Sequence, residues 1–320
     1  MVNKVIRIGI LGCGRVAHNH ALSISRCPSA VLVAAAGGRK AQEFGQKYNI
    51  PIFSVEDILK NPDVDAILVL TPPESHQTYT MMALDYGKHV LVEKPVSFDA
   101  IEIANMRRKA EEMKLVCMPG HSYLYMPELS RMAQVVPSGG IGLPTYLYLT
   151  ETYYMPPALF ERYQGPAYDV LCHQLYLSLA FLGTPCLLSA FQTEFPKEQI
   201  PTGGPQVAVT LQYPSGAIAQ ITVSWAVDDC TSDPFGFKVK VLGNAGGMHF
   251  SRLDYVRQEE GNVIHMGYQE MFDKQLEWFV NRCIIDGVPP LSNMQDAEIV
   301  CRLQKSILES ICKKQILTFH

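Results

Sequence analysis

A lysine that directly follows an apolar strand is the first candidate for chemistry in this chain. Glu93-Lys94-Pro95 comes after Val90-Leu91-Val92, and open α/β sheets bind their ligands beyond the carboxyl ends of such strands. Pro95 restricts the residue before it to extended backbone, which holds Lys94 at the strand end, and Glu93 can balance the charge there. The pattern predicts that Lys94 lies at the mouth of a nucleotide site.

A glycine-rich turn near the amino terminus is the second candidate. A mostly apolar run over residues 4–11 is typical of a buried parallel strand, and a helix is expected over residues 15–26. Between them the pattern is G-x-G-x-x-A, with Gly12, Gly14, Arg15, Val16 and Ala17. Such a turn lets the backbone approach a pyrophosphate at a helix amino terminus. The alternative is a simple strand-to-helix turn, but the flanking elements favour cofactor binding.

The end of the next strand bears on the choice of nucleotide. A strand at residues 31–36 is followed by Gly37-Gly38-Arg39-Lys40, without the acidic residue that usually accepts hydrogen bonds from the ribose of NAD. Small residues leave room for a 2′-phosphate, and the two cations can pair with it. The sequence therefore favours NADP over NAD, unless Arg39 and Lys40 are only solvated charges at the start of the next helix.

Strands and helices alternate through the first part of the chain. Strands are predicted at residues 66–70, 89–92 and 115–118, and helices at residues 75–85 and 99–114. Alternation with short connections specifies a doubly wound parallel sheet with right-handed crossovers. We therefore expect an α/β fold whose first domain, residues 1–120, is a Rossmann dinucleotide-binding domain.

The pattern changes after about Gly120. Long strands separated by turn residues suit an antiparallel sheet, and they are predicted at residues 145–154, 187–193, 207–213, 217–225 and 237–242. Helices are predicted at residues 127–135, 168–182, 268–286 and 294–313. Residues 121–320 should form an α+β domain with a large, mostly antiparallel, open-faced sheet.

Composition narrows the function classes. The 320 residues are 48% hydrophobic with a formal net charge of −4, which fits a soluble enzyme and argues against a nucleic-acid partner. No leader and no bilayer-length apolar run is evident, so we expect a cytoplasmic protein without a membrane partner. Nine cysteines are scattered singly, without zinc-ligand spacing, and no metal site is expected.

Together the motifs resemble the Gfo/Idh/MocA family of NAD(P)-dependent oxidoreductases. The matching elements are the turn at residues 12–17, T-P-x-x-x-H at residues 71–76, A-L-D-Y-G-K-H-V at residues 83–90, Glu93-Lys94-Pro95, and Asp169 with His173. The resemblance covers nearly the whole chain. It implies hydride exchange between the nicotinamide and a secondary alcohol, or the matching ketone, of a sugar, cyclitol or related polyol.

The resemblance also implies catalytic roles for Lys94, Asp169 and His173. When a hydride leaves carbon the hydroxyl proton must leave too, and histidine can accept it near neutral pH. Lys94 can stabilise negative charge on the reacting oxygen and share in proton transfer. If residues 168–182 are one helix, Asp169 and His173 share a face, and Asp169 binds substrate hydroxyls or orients the imidazole. A zinc site at this pair lacks further ligands.

Further contacts follow from the same resemblance. Thr71 and Pro72 should line the nucleotide's path, His76 should shape the loop beside it, and Glu93 and Lys94 complete the expected cofactor contacts. The expected substrate-binding set is Lys94, Ser122, Tyr154, Asp169 and His173. Ser122 lies in Gly120-His121-Ser122-Tyr123, where many relatives show asparagine and then a basic or aromatic residue around the third and fourth positions. Ser122 has a shorter reach, so the substrate contacts are expected to differ.

Alternation in the 145–154 strand places Tyr154 on one face with Tyr146 and Tyr148. Aromatic residues there could stack on a sugar or face a partner subunit. Family members commonly associate through this sheet, so a homodimer or homotetramer is expected beside a carbohydrate-like substrate.

Two other functions stay open. Some relatives hold NAD tightly and act as redox-neutral glycosidases or lyases, and others are non-catalytic nucleotide-binding sensors or co-regulators. Intact Lys94, Asp169 and His173 count against a sensor. Taken singly, the Glu-Lys-Pro triplet also fits a surface turn and the Asp/His pair a local hydrogen bond.

Overall fold

The computed structural model describes residues 4–155, 165–193, 206–226, 236–251, 256–259 and 262–319. The chain forms two compact units, one of Met1–Tyr125 with Tyr268–Glu298 and one of Met126–Gly267 with Ile299–His320. Among the described residues, no helix combines the length and apolar character needed to cross a bilayer.

The first unit is built on a six-stranded sheet in the order β3-β2-β1-β4-β5-β6, and every pairing is parallel. Three isoleucines of the central strand are fully buried, as expected where helices cover both faces. The order reverses between the first and fourth strands, and ligands bind beyond the carboxyl ends at such a point. The strands are β1 Ile6–Leu11, β2 Ala30–Ala36, β3 Ile52–Phe53, β4 Ala66–Val69, β5 His89–Val92 and β6 Cys117–Pro119.

Helices connect these strands: α1 Arg15–Arg26, α2 Ala41–Tyr48, α3 Val55–Lys60, α4 His76–Asp85 and α5 Ala100–Met113. Later in the chain, α9 Met266–Glu277 continues as a π-helical segment, Trp278–Ile285, and nearly all of this stretch belongs to the first unit. The predicted doubly wound α/β architecture is confirmed. Two short elements are not predicted by the sequence pattern: β3, which has two residues and therefore no visible alternation, and α3 beside it.

The second unit contains a seven-stranded sheet in the order β12-β11-β7-β10-β9-β8-β15. Only β7 and β10 pair in parallel among the described strands of this sheet, so the expected mostly antiparallel sheet is confirmed. Its strands are β7 Pro144–Thr152, β8 Leu187–Gln192, β9 Val207–Gln212, β10 Ile218–Ser224, β11 Lys238–Gly243, β12 Gly247–Ser251 and β15 Leu317–Thr318; β13 Val256–Glu259 pairs separately with β14 Asn262–His265.

One face of the seven-stranded sheet is buried and the other is open. In β9 buried and exposed residues alternate strictly, and in β7 Leu147 and Leu149 are fully buried while Tyr146 and Tyr148 are half-buried. Among the described residues, the α-helices of this unit are α6 Pro127–Val135, α7 Pro166–Asp169, α8 Leu171–Leu182 and α10 Met294–Lys313, whose last part belongs to the unit. The period-two pattern therefore located the faces correctly.

Two predicted elements differ from the structure. The 145–154 strand ends at Thr152, so Tyr154 lies beyond it and is not placed by strand alternation. The 168–182 helix is two helices joined at Val170. The His173 N–H bonds to the Val170 carbonyl, three residues back, which interrupts the α-helical hydrogen-bond ladder between Asp169 and His173.

Candidate active site

The glycine-rich turn after β1 is fixed by its neighbours on both sides. Gly12 has a φ of 98°, which L side chains rarely adopt. Its N–H donates to the Ala36 carbonyl at 2.8 Å, and a Cβ on Gly12 would lie 2.7 Å from the Leu70 carbonyl oxygen. Only glycine fits here, because the turn is held between the carboxyl ends of β2 and β4.

The start of α1 is open to an anion. Gly14 caps the helix without any side-chain hydrogen bond, and its first turn carries no acidic residue. A Cβ on Gly14 would meet nothing within 4 Å apart from its own chain neighbours, so this side of the cap residue is open. Arg15 is exposed, Val16 half-buried and Ala17 buried. The positive end of the helix dipole and its unbonded amides therefore fit a pyrophosphate.

The turn after β2 packs beside this helix start. Gly37 and Gly38 both have positive φ, 78° and 94°, and the Cys13 N–H donates to the Gly37 carbonyl at 3.2 Å. Arg39 and Lys40, which follow, are exposed. Two cations thus stand next to the glycine-rich turn, where an adenosine ribose would be read in a Rossmann fold.

Cys13 is buried in the same turn, and burial raises the pKa of its thiol to about 11. A thiol with that pKa stays protonated at neutral pH. The structure therefore gives Cys13 a packing role.

His76 links the loop after β4 to the loop after β5. Its Nε2 lies 2.7 Å from the Thr71 carbonyl and its Nδ1 3.0 Å from the Pro95 carbonyl. Burial lowers the pKa of His76, and a neutral ring carries one N–H, so the ring donates to one carbonyl at a time. Thr71 is half-buried, Pro72 is exposed, and the Lys94–Pro95 peptide is cis. The predicted cofactor contacts thus meet at one edge of the sheet.

Glu93 and Lys94 are held at the end of β5. One carboxylate oxygen of Glu93 accepts a hydrogen bond from the Lys94 N–H at 3.0 Å, and the other lies 3.1 Å from Nε2 of His20 in α1. Burial alone would raise the pKa of Glu93. The hydrogen bond and charge of His20, with the charge and N–H of Lys94, outweigh burial and hold that pKa below its usual range.

His20, which is fully buried, is not among the site residues that the sequence predicts. The signal was its position on the apolar face of α1, three residues after Ala17 and four before Ile24. A histidine on such a face is ordinarily assigned to packing, and only its contact with Glu93, far away in the sequence, gives it a further role.

The loop after β6 reaches the same edge. The Gly120 N–H donates to the Val92 carbonyl at 2.7 Å, and Ser122 is buried. His121 Nδ1 lies 2.7 Å from the Ser292 hydroxyl, and burial lowers the pKa of His121 to about 3. His121 is therefore neutral, a member of a buried hydrogen bond that the sequence analysis did not foresee.

The second unit carries the other predicted site residues. His173 is buried, and its Nδ1 lies 2.6 Å from the Tyr176 hydroxyl. Asp169 is half-buried at the end of α7, and Tyr154 is 51% exposed. Beside His173, the Gln174 amide donates to the buried Glu151 carboxylate at 2.7 Å. Within the described residues no cluster of histidine, cysteine or acidic side chains could hold a metal ion.

Residues 6–121 match a family described as "Oxidoreductase family, NAD-binding Rossmann fold", GFO_IDH_MocA, and residues 129–249 match the "GFO/IDH/MocA C-terminal domain". The chain belongs to the Gfo/Idh/MocA family of oxidoreductases. The predicted family, its two-part fold and its dehydrogenase class are thereby confirmed.

Two curated relatives of this family member match it over nearly its full length. Scyllo-inositol 2-dehydrogenase (NAD(+)) of Bacillus subtilis is 23% identical, over 92% of this chain and 90% of its own. Myo-inositol 2-dehydrogenase of Thermotoga maritima is 22% identical, over 97% of each chain.

Solved structures share the fold of this oxidoreductase. A putative myo-inositol dehydrogenase from Sinorhizobium meliloti superimposes with a TM-score of 0.86, at 21% identity, over 99% of this chain and 100% of the other. Scyllo-inositol dehydrogenase from Lactobacillus casei, solved with bound cofactor NAD(H) and scyllo-inositol, gives a TM-score of 0.83 at 19% identity, over 98% and 99% of the two chains.

Proposed function

We propose that this oxidoreductase transfers a hydride between NAD(P) and a secondary alcohol, or the matching ketone, of a cyclitol, sugar or related polyol. One chain of contacts in the first unit carries the proposal. The glycine-rich turn packs on Leu70, the next residue, Thr71, contacts His76, and His76 contacts Pro95 beside Lys94. An anion site at a helix start is thus joined through three short contacts to a lysine.

The bound nicotinamide nucleotide would accept or supply the hydride, and Gly12, Gly14, Arg15, Val16 and Ala17 would hold its pyrophosphate. Thr71, Pro72, His76 and Glu93 would line the rest of its path. Their support is the open helix start and the convergence of these loops at the carboxyl edge of one parallel sheet.

Arg39 and Lys40 would bind a 2′-phosphate, so we propose that NADP is preferred over NAD. The two glycines before them leave the turn without a side chain, and no carboxylate stands at residues 37–40 to repel the phosphate. A charge-assisted hydrogen bond from arginine to phosphate contributes about 1.5–3 kcal/mol, enough to decide between the two nucleotides.

Lys94, Asp169 and His173 would act on the substrate. Lys94 donates a hydrogen bond to the reacting oxygen and stabilises the negative charge that develops there. His173 exchanges the hydroxyl proton. Since its Nδ1 contacts the Tyr176 hydroxyl, the exchange would take place at Nε2, and in the form that accepts the proton the N–H on Nδ1 donates to the Tyr176 oxygen. Asp169, on the short helix before it, binds a substrate hydroxyl.

The substrate class rests on the relatives. Two curated relatives are named for the 2-dehydrogenation of inositols, and a cyclitol offers several neighbouring hydroxyls for Asp169, His173 and Lys94. Ser122 and Tyr154 are proposed as further substrate contacts, one buried and one largely exposed.

Assembly and location complete the proposal. The open face of the seven-stranded sheet carries Tyr146 and Tyr148 on β7 and exposed Ile218 on β10, and covering such a face would stabilise a homodimer or homotetramer. The enzyme is proposed to work in the cytoplasm, with residues 1–120 binding nucleotide and residues 121–320 binding substrate and partner subunits.

The test is absorbance at the reduced-nicotinamide band, with NAD or NADP and a panel of inositols, aldoses, glycosides and their keto forms. Turnover of a cyclitol or polyol is expected. Lys94→Ala should abolish it while nucleotide affinity changes by less than about threefold. The matched control is Lys60→Ala, because Lys60 is exposed on α3 and pairs only with Glu56 among the described residues.

Three results would contradict the proposal in different ways. Turnover of the wild-type kind in Lys94→Ala removes that residue from the mechanism. Cleavage of a glycoside without added nucleotide indicates a redox-neutral glycosidase or lyase. Nucleotide binding without turnover of any compound in the panel indicates a sensor.

A further inference from the structure

The dinucleotide-binding helix and the catalytic lysine are joined by one buried polar contact. His20 lies in the second turn of α1, the helix that begins at the glycine-rich turn. Its Nε2 is 3.1 Å from Oε1 of Glu93, and Oε2 of Glu93 is 3.0 Å from the N–H of Lys94. Glu93 therefore uses one oxygen toward the helix and the other toward the lysine.

The protonation of Glu93 and His20 sets the direction of the hydrogen bond between them. The pKa of Glu93 is held below its usual range, so its side chain is a carboxylate, which only accepts hydrogen bonds. His20 must then carry a proton on Nε2. Among the described residues its Nδ1 has no hydrogen-bond partner, so the contact with Glu93 is the one that holds the ring in register.

The side chains of His20 and Glu93 are packed on both sides, which restricts their movement. The side chain of His20 is fully buried and that of Glu93 is 10% exposed, and the ring of Phe272 in α9 meets the His20 ring edge-on at a centroid distance of 5.1 Å. On the other side, a Cβ on Gly120 would lie 3.0 Å from the Glu93 Cα. A carboxylate enclosed in this way keeps its orientation only while its hydrogen bonds are made.

We propose that His20 is a positioning residue for hydride transfer: its hydrogen bond orients Glu93, and Glu93 in turn holds the backbone of Lys94 in register with the helix that binds the nucleotide. The inference rests on the proposed function. It gives the first two turns of α1 different roles, since the first turn would hold the pyrophosphate and the second would position the reacting lysine.

Two substitutions of His20 distinguish the loss of its hydrogen bond from the loss of its packing. His20→Leu keeps an apolar side chain of similar reach and removes the donor, whereas the amide of His20→Gln can still donate to Glu93. We expect His20→Leu to lower kcat by at least about tenfold, with KM for the polyol and the Kd for the reduced nucleotide within about threefold. His20→Gln should recover most of kcat. The matched control is His18→Leu on the same helix, because His18 is half-buried and its Nδ1 contacts Tyr48 instead.

A second measurement needs no turnover. In nucleotide-free protein labelled with ¹⁵N-histidine, the His20 ring should show a slowly exchanging Nε2–H proton, identified because its signal disappears in His20→Gln. Its absence from the wild-type protein overturns the proposal whatever the kinetics show.

Further kinetic outcomes also test the role of His20. Equal loss of kcat in His20→Leu and His20→Gln, or unchanged kcat in His20→Leu, overturns the positioning role of His20 alone. Failure of the wild-type protein to turn over any polyol refutes the proposed function and, with it, the role of His20 in hydride transfer, while the Nε2–H signal would still report the hydrogen bond to Glu93.

Discussion

Alanine substitutions at two glycines of one turn should have different effects: one should lower the stability of the fold, and the other should weaken nucleotide binding. In Gly12→Ala the new methyl would sit 2.7 Å from the Leu70 carbonyl oxygen, at a φ of 98°. The conformation contributes about 1–2 kcal/mol of strain, and the overlap with rigid backbone about 1–3 kcal/mol more. Gly12→Ala should therefore lower Tm by at least about 5 °C.

Gly14→Ala should behave in the opposite way. Gly14 has a φ of −85°, and nothing lies within 4 Å of the point that a Cβ would occupy, so the free energy of unfolding should change by no more than about 1 kcal/mol. At the proposed pyrophosphate site, the methyl would take up space that the phosphates need. Affinity for NAD and NADP should fall by at least about tenfold.

The assays are thermal unfolding followed by circular dichroism and nucleotide titration followed by fluorescence. Gly87→Ala is the control for backbone strain, because Gly87 has a φ of 72° but open space around its Cβ position. If Gly12→Ala is as stable as Gly87→Ala, the inferred close packing of Gly12 on the Leu70 carbonyl is refuted. If Gly14→Ala binds both nucleotides like the wild-type protein, the helix start is not the pyrophosphate site.

Two further predictions concern cofactor choice and pH. Replacing Arg39 and Lys40 together by alanine should weaken NADP binding by about tenfold or more and leave NAD within about threefold; equal losses for both nucleotides in the titration would refute the 2′-phosphate role. His121, with its folded pKa lowered to about 3 by burial, is neutral in the folded state. Below pH of about 6.5 the unfolded state binds the extra proton, so between neutrality and pH 5 His121 should remove about 2 kcal/mol of stability. Urea unfolding across this range should show a shallower pH dependence in His121→Asn, and the same slope as the wild-type protein would contradict the burial of His121.

The strand and turn patterns predicted the frame of both sheets because they depend on local geometry. Buried strands in a parallel sheet are apolar along most of their length, and strands with one open face alternate, so β1 and β9 are visible in the sequence itself. The same holds for the glycine-rich turn, because a positive φ followed by a helix start leaves a short signature at residues 12–17.

Local sequence pattern did not predict the ends of elements that are set by backbone hydrogen bonding. The apolar residues of 168–182 continue through Val170, but the backbone changes its hydrogen-bond step there, and apolar content does not report that step. Tyr154 continues the alternation of β7 by type, yet β7 stops at Thr152. A strand ends where its neighbours stop pairing, which is a property of several segments at once.

The sequence by itself determined the family, the doubly wound sheet with its nucleotide turn, and the candidate residues Lys94, Asp169 and His173. Only the tertiary structure joined His20 to Glu93 and His121 to Ser292, residues 73 and 171 positions apart. The physical reason is that periodicity and turn chemistry act between residues close in the chain. A buried imidazole instead takes its partner from whichever distant segment packing brings within hydrogen-bond distance, and burial then makes that partner obligatory.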